Sequence, residues 1–229
     1  MRLQFAAILA VAAALLTGCA VAPQQPLSIS KDFTGASTTK VGVVMSTLPK
    51  VDTEFPGAGC LLCLAAASVA NQSLTKHVQT LTAEDLPKLK NDIARLLEAK
   101  GMQVRVIDEP LDLKQIPKYD GKEPNTARQD FRGLKNRYQV DKLVVIDIAA
   151  LGAWRNYSAY IPTGDPKAVL KGSGYIVNLS TNMLEWYLPV NVQKGTDQNW
   201  DEPPKFPGLT NAYFEAIEQG KDAFSKPFL

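Results

Sequence analysis

Nine residues in the middle of the chain, Leu143-Val144-Val145-Ile146-Asp147-Ile148-Ala149-Ala150-Leu151, carry a single charge. A β-branched apolar run of this length, bounded by polar residues, reads as a strand buried on both faces. Such a strand needs neighbours on both sides and layers above and below. That requirement restricts the fold to a layered sheet. Val41-Gly42-Val43-Val44-Met45 is a second run of the same kind.

Helical patterns flank these strands. Leu86, Leu89, Ile93, Leu96 and Leu97 fall on one face at helical spacing, Pro87 fits a first turn capped by Asp85, and Gly101 stands where a left-handed C-terminal residue belongs. Met102 to Ile107 then alternates as a strand. The apolar start of Cys60–Leu81 is expected to form a buried helix, after a loop over Leu48–Gly59. Thr126-Ala127-Arg128-Gln129 has the spacing of a capping box and is expected to open a helix carrying Phe131, Leu134 and Tyr138. Trp154 to Ile161 is expected as a strand of its own. Val169–Leu179 and Leu184–Val192 alternate around Ser180–Met183 as a hairpin. A helix from about Thr210 to Phe224, using Tyr213, Phe214 and Ile217, closes the chain. The order predicts an α+β fold: a single layered domain, with a mixed sheet of about five to six strands, an antiparallel C-terminal meander and flanking helices.

The N-terminus reads as an address. Met1-Arg2 is followed by an apolar run from Leu3 to Leu16 broken only by Gln4, too short to span a bilayer, which takes about 20 residues. It ends Leu16-Thr17-Gly18-Cys19, which resembles the lipobox of bacterial lipoproteins. The resemblance implies that residues 1–18 are a cleaved signal and that Cys19 carries the lipid. Each buried CH₂ contributes roughly 0.8 kcal/mol, so two or three acyl chains, palmitate among them, anchor stably where one does not. In enterobacterial lipoproteins Asp after the cysteine favours the inner membrane, so Ala20 implies a periplasm-facing outer-membrane location. Residues 19–39, rich in Pro, Gln, Ser, Thr and Gly, read as the lipidated cysteine and a flexible tether of roughly 25 Å r.m.s. span. Residues 40–229 are the expected periplasmic domain.

Four stretches extend the resemblance to a group of envelope lipoproteins. Lys40–Val44, Ile93–Ile107, Tyr138–Val145 and Gly174–Glu185 are similar to the first strand, the helix–turn–strand, the central strand with its approach, and the hairpin of the periplasmic domains of CsgG (curli secretion) and LpoB (peptidoglycan-synthase activation). That group implies binding or ring assembly rather than catalysis.

The chemistry-bearing residues are few. Twenty-five basic side chains balance 23 acidic ones, so charge gives no reason to expect nucleic acid as a partner. His77 is the only histidine. No Ser–His–Asp logic, metal set or cofactor loop emerges, and no catalytic residue, metal or cofactor is expected. Asp147, inside the strongest strand, needs a partner if buried. Cys60-Leu61-Leu62-Cys63 leaves three readings open: a disulfide stapling the helix start, two buried thiols, or a redox pair. Small residues over Ala58–Ala70 also suit a subunit interface or a membrane contact. Trp154, Trp186, Tyr187, Trp200 and Phe206 are the candidate partner surface, since Trp and Tyr are enriched in interfaces. The expected function is a membrane-anchored, non-enzymatic binding or adaptor module, meeting an envelope protein or itself. The alternatives are an oligomeric assembly or secretion component and a thiol-redox protein using Cys60 and Cys63.

Overall fold

The computed structural model describes residues 23–30, 33, 39–197, 199–203 and 205–229. Cys19 and the signal expected over residues 1–18 lie outside the described residues.

In chain order, β1 (Lys40–Met45) and β2 (Val51–Glu54) precede α1 (Leu61–Ala70), α2 (Gln72–Val78) and α3 (Leu89–Ala99). β3 (Gln103–Val106), α4 (Leu134–Tyr138) and β4 (Lys142–Trp154) follow. The chain continues through the small hairpin β5 (Tyr157–Ser158) and β6 (Ile161–Pro162), then β7 (Lys167–Asn178), β8 (Leu184–Lys194) and α5 (Pro207–Ser225). The fold is α+β. Its six-stranded mixed sheet runs β3-β1-β4-β7-β8, with β2 beside the far half of β4. β3, β1 and β4 are parallel neighbours, and β4, β7 and β8 form the antiparallel C-terminal meander.

β4 is the spine. Its first half pairs β1 (Val41↔Lys142 to Met45↔Ile146), its second half pairs β2 (Val51↔Leu151 to Glu54↔Trp154), and its whole length pairs β7. A bulge between Ile148 and Ala150 inserts one residue. Alternation is thereby reset, so Leu151 and Ala153 still face the same apolar layer as Ile146 and Ile148. Gly152 has φ +136°, and a Cβ there would strike the Asp52 carbonyl, so only glycine lets β2 lie this close.

One face of the sheet is fully covered. Val41, Val43, Ile146, Leu170, Ile176 and Trp186 pack under Leu74 and Val78 of α2, Ile93 and Leu97 of α3, and Tyr213, Ile217 and Phe224 of α5. Each fully buried side chain of this size contributes roughly 1.5–3 kcal/mol. The other face is covered over the first half of β4 only, where Leu143, Val145, Tyr175 and Val177 meet Phe131, Tyr138 and Leu111. Further along that face, Ala149, Lys171 and Asn191 stand exposed.

Several expectations are corrected. The loop expected over Leu48–Gly59 contains β2. The single helix expected over Cys60–Leu81 is two, broken at Asn71, and its first part is exposed rather than buried. No helix opens at Thr126. The Asn182 side chain donates to the Ala127 and Gln129 carbonyls (3.2 and 2.9 Å) and accepts from the Phe131 amide (2.9 Å), holding this backbone extended. Asp130 caps the turn that begins at Phe131 instead. The strand expected over Trp154–Ile161 is the end of β4 followed by the β5–β6 hairpin, and Phe214 is 46% exposed rather than packed.

The expected tether over 19–39 differs from Pro23 onward. Leu27 exchanges both backbone hydrogen bonds with Tyr187 of β8 (2.9 and 3.2 Å). Gln24 donates to the Asn125 side chain (3.0 Å), and Phe33 is 1% exposed in the main core. The chain is therefore fastened to the domain well before β1.

Candidate functional site

α1 is built against the usual rule that an apolar helix is buried. Leu61-Leu62-Cys63-Leu64-Ala65-Ala66-Ala67-Ser68-Val69-Ala70 contains no charged residue, yet only Cys63 and Ala67 are buried. They rest on Tyr157 and Phe55, whose rings meet edge to face at 5.9 Å. The rest of the helix stands proud: Leu61 is 89%, Leu62 73% and Val69 78% exposed. Tyr160 and Ile161 of the neighbouring hairpin are exposed as well. Apolar surface gathered in this way makes α1 and the hairpin the candidate interaction surface.

Both ends of the helix are fastened. At its start, Cys60 is extended and its Sγ accepts the Cys63 amide (2.9 Å), so sulfur performs the N-cap role of a serine oxygen. Cys60 and Cys63 are joined in a disulfide, with Cα atoms 4.9 Å apart. Cys60 is exposed, Cys63 is buried, and the Tyr160 hydroxyl lies 3.6 Å from the Cys60 sulfur. At its end, Asn71 is 1% exposed. Its amide nitrogen donates to the Ala67 carbonyl (2.7 Å) and the Tyr157 hydroxyl (2.6 Å), while its oxygen accepts from Arg155 (2.9 Å).

Arg155 begins a four-layer stack under this platform. Its guanidinium lies 4.7 Å over the Trp200 ring, Trp200 stacks on Phe206 at 6.1 Å and 7°, and Phe206 lies 5.2 Å from the His77 ring on α2. His77 Nε2 and Thr210 Oγ1 are 2.8 Å apart, which ties α2 to α5. Burial, with the Lys205 charge second, holds the His77 pKa below its usual value.

The five aromatics named as a partner surface do not converge. Trp200 and Phe206 meet, but in the stack between Arg155 and His77, against the main core. Trp186 is 3% exposed, edge to face with Phe228 in the core, because its position on β8 points towards α5. Tyr187 points to the opposite face and stacks on Tyr175. Trp154 is half-buried under Lys171. Alternation along β8 separates Trp186 from Tyr187, and β-strand periodicity alone forbids one surface from holding both.

Asp147 lies where the second face of the sheet opens. Burial raises its pKa, and a hydrogen bond from Ser46 works against that. Burial, then Asp147, then Tyr187 push the Tyr175 hydroxyl well up. The group holds no histidine, and Ser46 Oγ already accepts the Ile148 amide (3.2 Å), so no activated nucleophile is assembled there. Among the described residues, no three His, Cys, Asp or Glu side chains are placed to hold a metal ion, and no helix is long and apolar enough to cross a membrane.

Sequence reasoning weighed α1 as an interface but ranked burial first. In α1 the alanines and Ser68 follow Leu64, and nothing in that pattern separates an exposed apolar helix from a buried one.

No protein-family model and no curated protein matches the chain. Among solved structures it is similar to the PelC dodecamer from Paraburkholderia phytofirmans, at 11% identity over 89% of this chain and 94% of that one, with a TM-score of 0.39. It is also similar to protein XCC0632 of the DUF330 family from Xanthomonas campestris, at 12% identity over 90% and 91%, TM-score 0.42. Lipoprotein GNA1162 from Neisseria meningitidis matches at 11% identity over 79% and 96%, TM-score 0.29. At these identities the likeness is one of chain course, and no property of those proteins passes to this one through it.

Proposed function

We propose that the protein is a lipoprotein of the bacterial envelope, anchored through Cys19 in the outer membrane and facing the periplasm, and that it acts as a non-enzymatic docking module. Its contact surface is α1 with the β5–β6 hairpin, in place of the aromatic set named from sequence. The observation that carries this reading is an uncharged helix held at both ends with Leu61, Leu62 and Val69 in solvent. A protein surface fits this helix better than a bilayer does. Helices that lie on membranes carry Lys or Arg along a polar face, and α1 has none.

The test is a photo-crosslinking residue placed at Leu62 in the full-length chain in cells, with exposed Glu98 on α3 as control. One adduct of fixed mass from position 62, absent from position 98 and lost on Leu61→Ser with Val69→Ser, is expected. Adducts to lipid alone, or equal adducts from both positions, would remove α1 as a protein contact.

A second reading, thiol–disulfide exchange, is favoured by one observation: a disulfide whose first cysteine, Cys60, is an exposed residue at a helix N-terminus. Its test is the rate at which Cys60 reacts with an alkylating reagent after mild reduction. Reaction no faster than an unperturbed thiol counts against it.

A further inference from the structure

β8 is the last strand of the sheet, and its outer edge is only partly used. Leu27 exchanges both backbone hydrogen bonds with Tyr187, so the N–H and C=O of Tyr187 point away from β7. Strand periodicity of two points the backbone of Pro189, Asn191 and Gln193 outward as well. No backbone partner meets these three on that side among the described residues. From Leu188 to Gln193 the edge carries no charge, and Pro189 is the one device of the kind natural edges use against pairing. Beside it runs a mainly apolar groove of about 480 Å³, formed by Leu188, Val190 and Val192 with Ala223 of α5 and with Lys226 and Pro227 just after it.

We propose that this edge is an interface between two copies of this chain, with their β8 strands antiparallel across a two-fold axis at Asn191. In that register the two Asn191 residues exchange both backbone hydrogen bonds. The Gln193 amide of each copy donates to the Pro189 carbonyl of the other, where the missing proline donor costs one bond on each side. Val190 of one copy stands opposite Val192 of the other, on the groove side of the sheet. In this register Lys194 of the second strand faces Leu188, the last position before Leu27, so that chain turns off the sheet at Gly195 and leaves Leu27 on Tyr187.

Two further observations favour a second copy over an unrelated peptide. α5 packs on both β7 and β8, so its axis lies between them. With strands about 4.8 Å apart, the two α5 axes then lie two strand spacings apart, about 10 Å. Helices pack at 8–10 Å, and Ala223 lines the approach with a small side chain. The helices run antiparallel, which brings Lys226 of one copy, on the groove wall, towards Asp222 of the other, the residue before Ala223; Glu218, one turn away, is already paired with Lys221 (2.8 Å). The edge is thus complementary to itself in backbone, volume and charge.

The test uses the full-length chain in cells. In the proposed state Cys19 is lipidated, and Cys60 and Cys63 are paired, so an introduced cysteine is the free thiol. Asn191→Cys places the two Cα atoms about 5.5 Å apart, within the range a disulfide spans. Gln193→Cys places its symmetry mates about 14 Å apart, four residues of strand rise along the strands and one strand spacing across, outside that range. A disulfide-linked dimer from position 191 and none from 193 is expected, together with a dimer mass for the purified chain that falls to a monomer with Gln193→Pro. A monomer with no link at 191, equal linking at both positions, or linking at 191 to a different protein would each overturn the proposal.

Discussion

Trp200→Ala separates a supporting role from a partner-contact role for the aromatic loop. Trp200 is half-buried, stacked on Phe206 and covered by Arg155. A tryptophan buries about 150–250 Å² when enclosed, so half of that removed from water is worth roughly 2–3 kcal/mol at about 25 cal/mol per Å². The cation over its face adds about 0.5–1 kcal/mol. The expected loss is about 3 kcal/mol, which for a domain of this size lowers Tm by roughly 6–12 °C. The assay is urea unfolding of the purified chain, with amide hydrogen exchange of α1 read in parallel. Exchange in α1 is expected to rise well beyond that in β4, because Arg155 also holds Asn71. A change below about 0.5 kcal/mol with unaltered exchange, the ordinary size of a surface substitution, would refute the clamp.

Replacing Cys60 by Ser and Cys63 by Ala opens a four-residue loop, which on chain-entropy grounds costs about 2 kcal/mol. The loss is expected mainly as fraying of α1, seen in the same exchange experiment and as a weaker crosslink from position 62. The pKa of His77 is lowered on folding, so its contribution to stability is fully present above pH 6.5 and is lost as pH falls from 6.5 through the folded value. His77→Gln, which keeps a hydrogen-bonding group for Thr210, should flatten that limb of the Tm–pH curve. Asp147 has the opposite sign: its raised pKa makes the carboxylate a burden at neutral pH, relieved as pH falls through the folded value towards 3.8. Asp147→Asn is expected to raise Tm at pH 7 and to leave it nearly unchanged at pH 3.

Elements whose apolar spacing matched their burial were legible in the sequence. β1 and β4 are short β-branched apolar runs buried on both faces, and the β7–β8 hairpin, α3 and α5 carry an apolar period that fits their secondary structure. β2 was not legible, because Val51-Asp52-Thr53-Glu54 is short and half-exposed and its pairing depends on a glycine a hundred residues away. The apparent capping box at Thr126 failed because Asn182 supplies hydrogen bonds that a local reading cannot see. The candidate surface was half legible. Its residues were named, but whether an uncharged helix is inside or outside depends on how much neighbouring volume remains, and a one-dimensional pattern does not record that.

The placement of β1 and β2 end to end along β4 has a mechanical consequence. Between Lys40 and Glu54 the covalent chain travels from one end of the sheet to the other, with six further residues to the start of α1. If the N-terminal side is held at a membrane and a partner pulls on α1, tension enters at one end of this path and leaves at the other. The load lies along the strands, so the ladders to β4 resist in shear, many hydrogen bonds at once, rather than opening one by one. Before that path begins, the Leu27–Tyr187 hydrogen bonds and the buried Phe33 ring take up load, so β8 and the core are engaged ahead of β1. The domain can thus act as a stay between two moving attachments, with its N-terminal contacts yielding first.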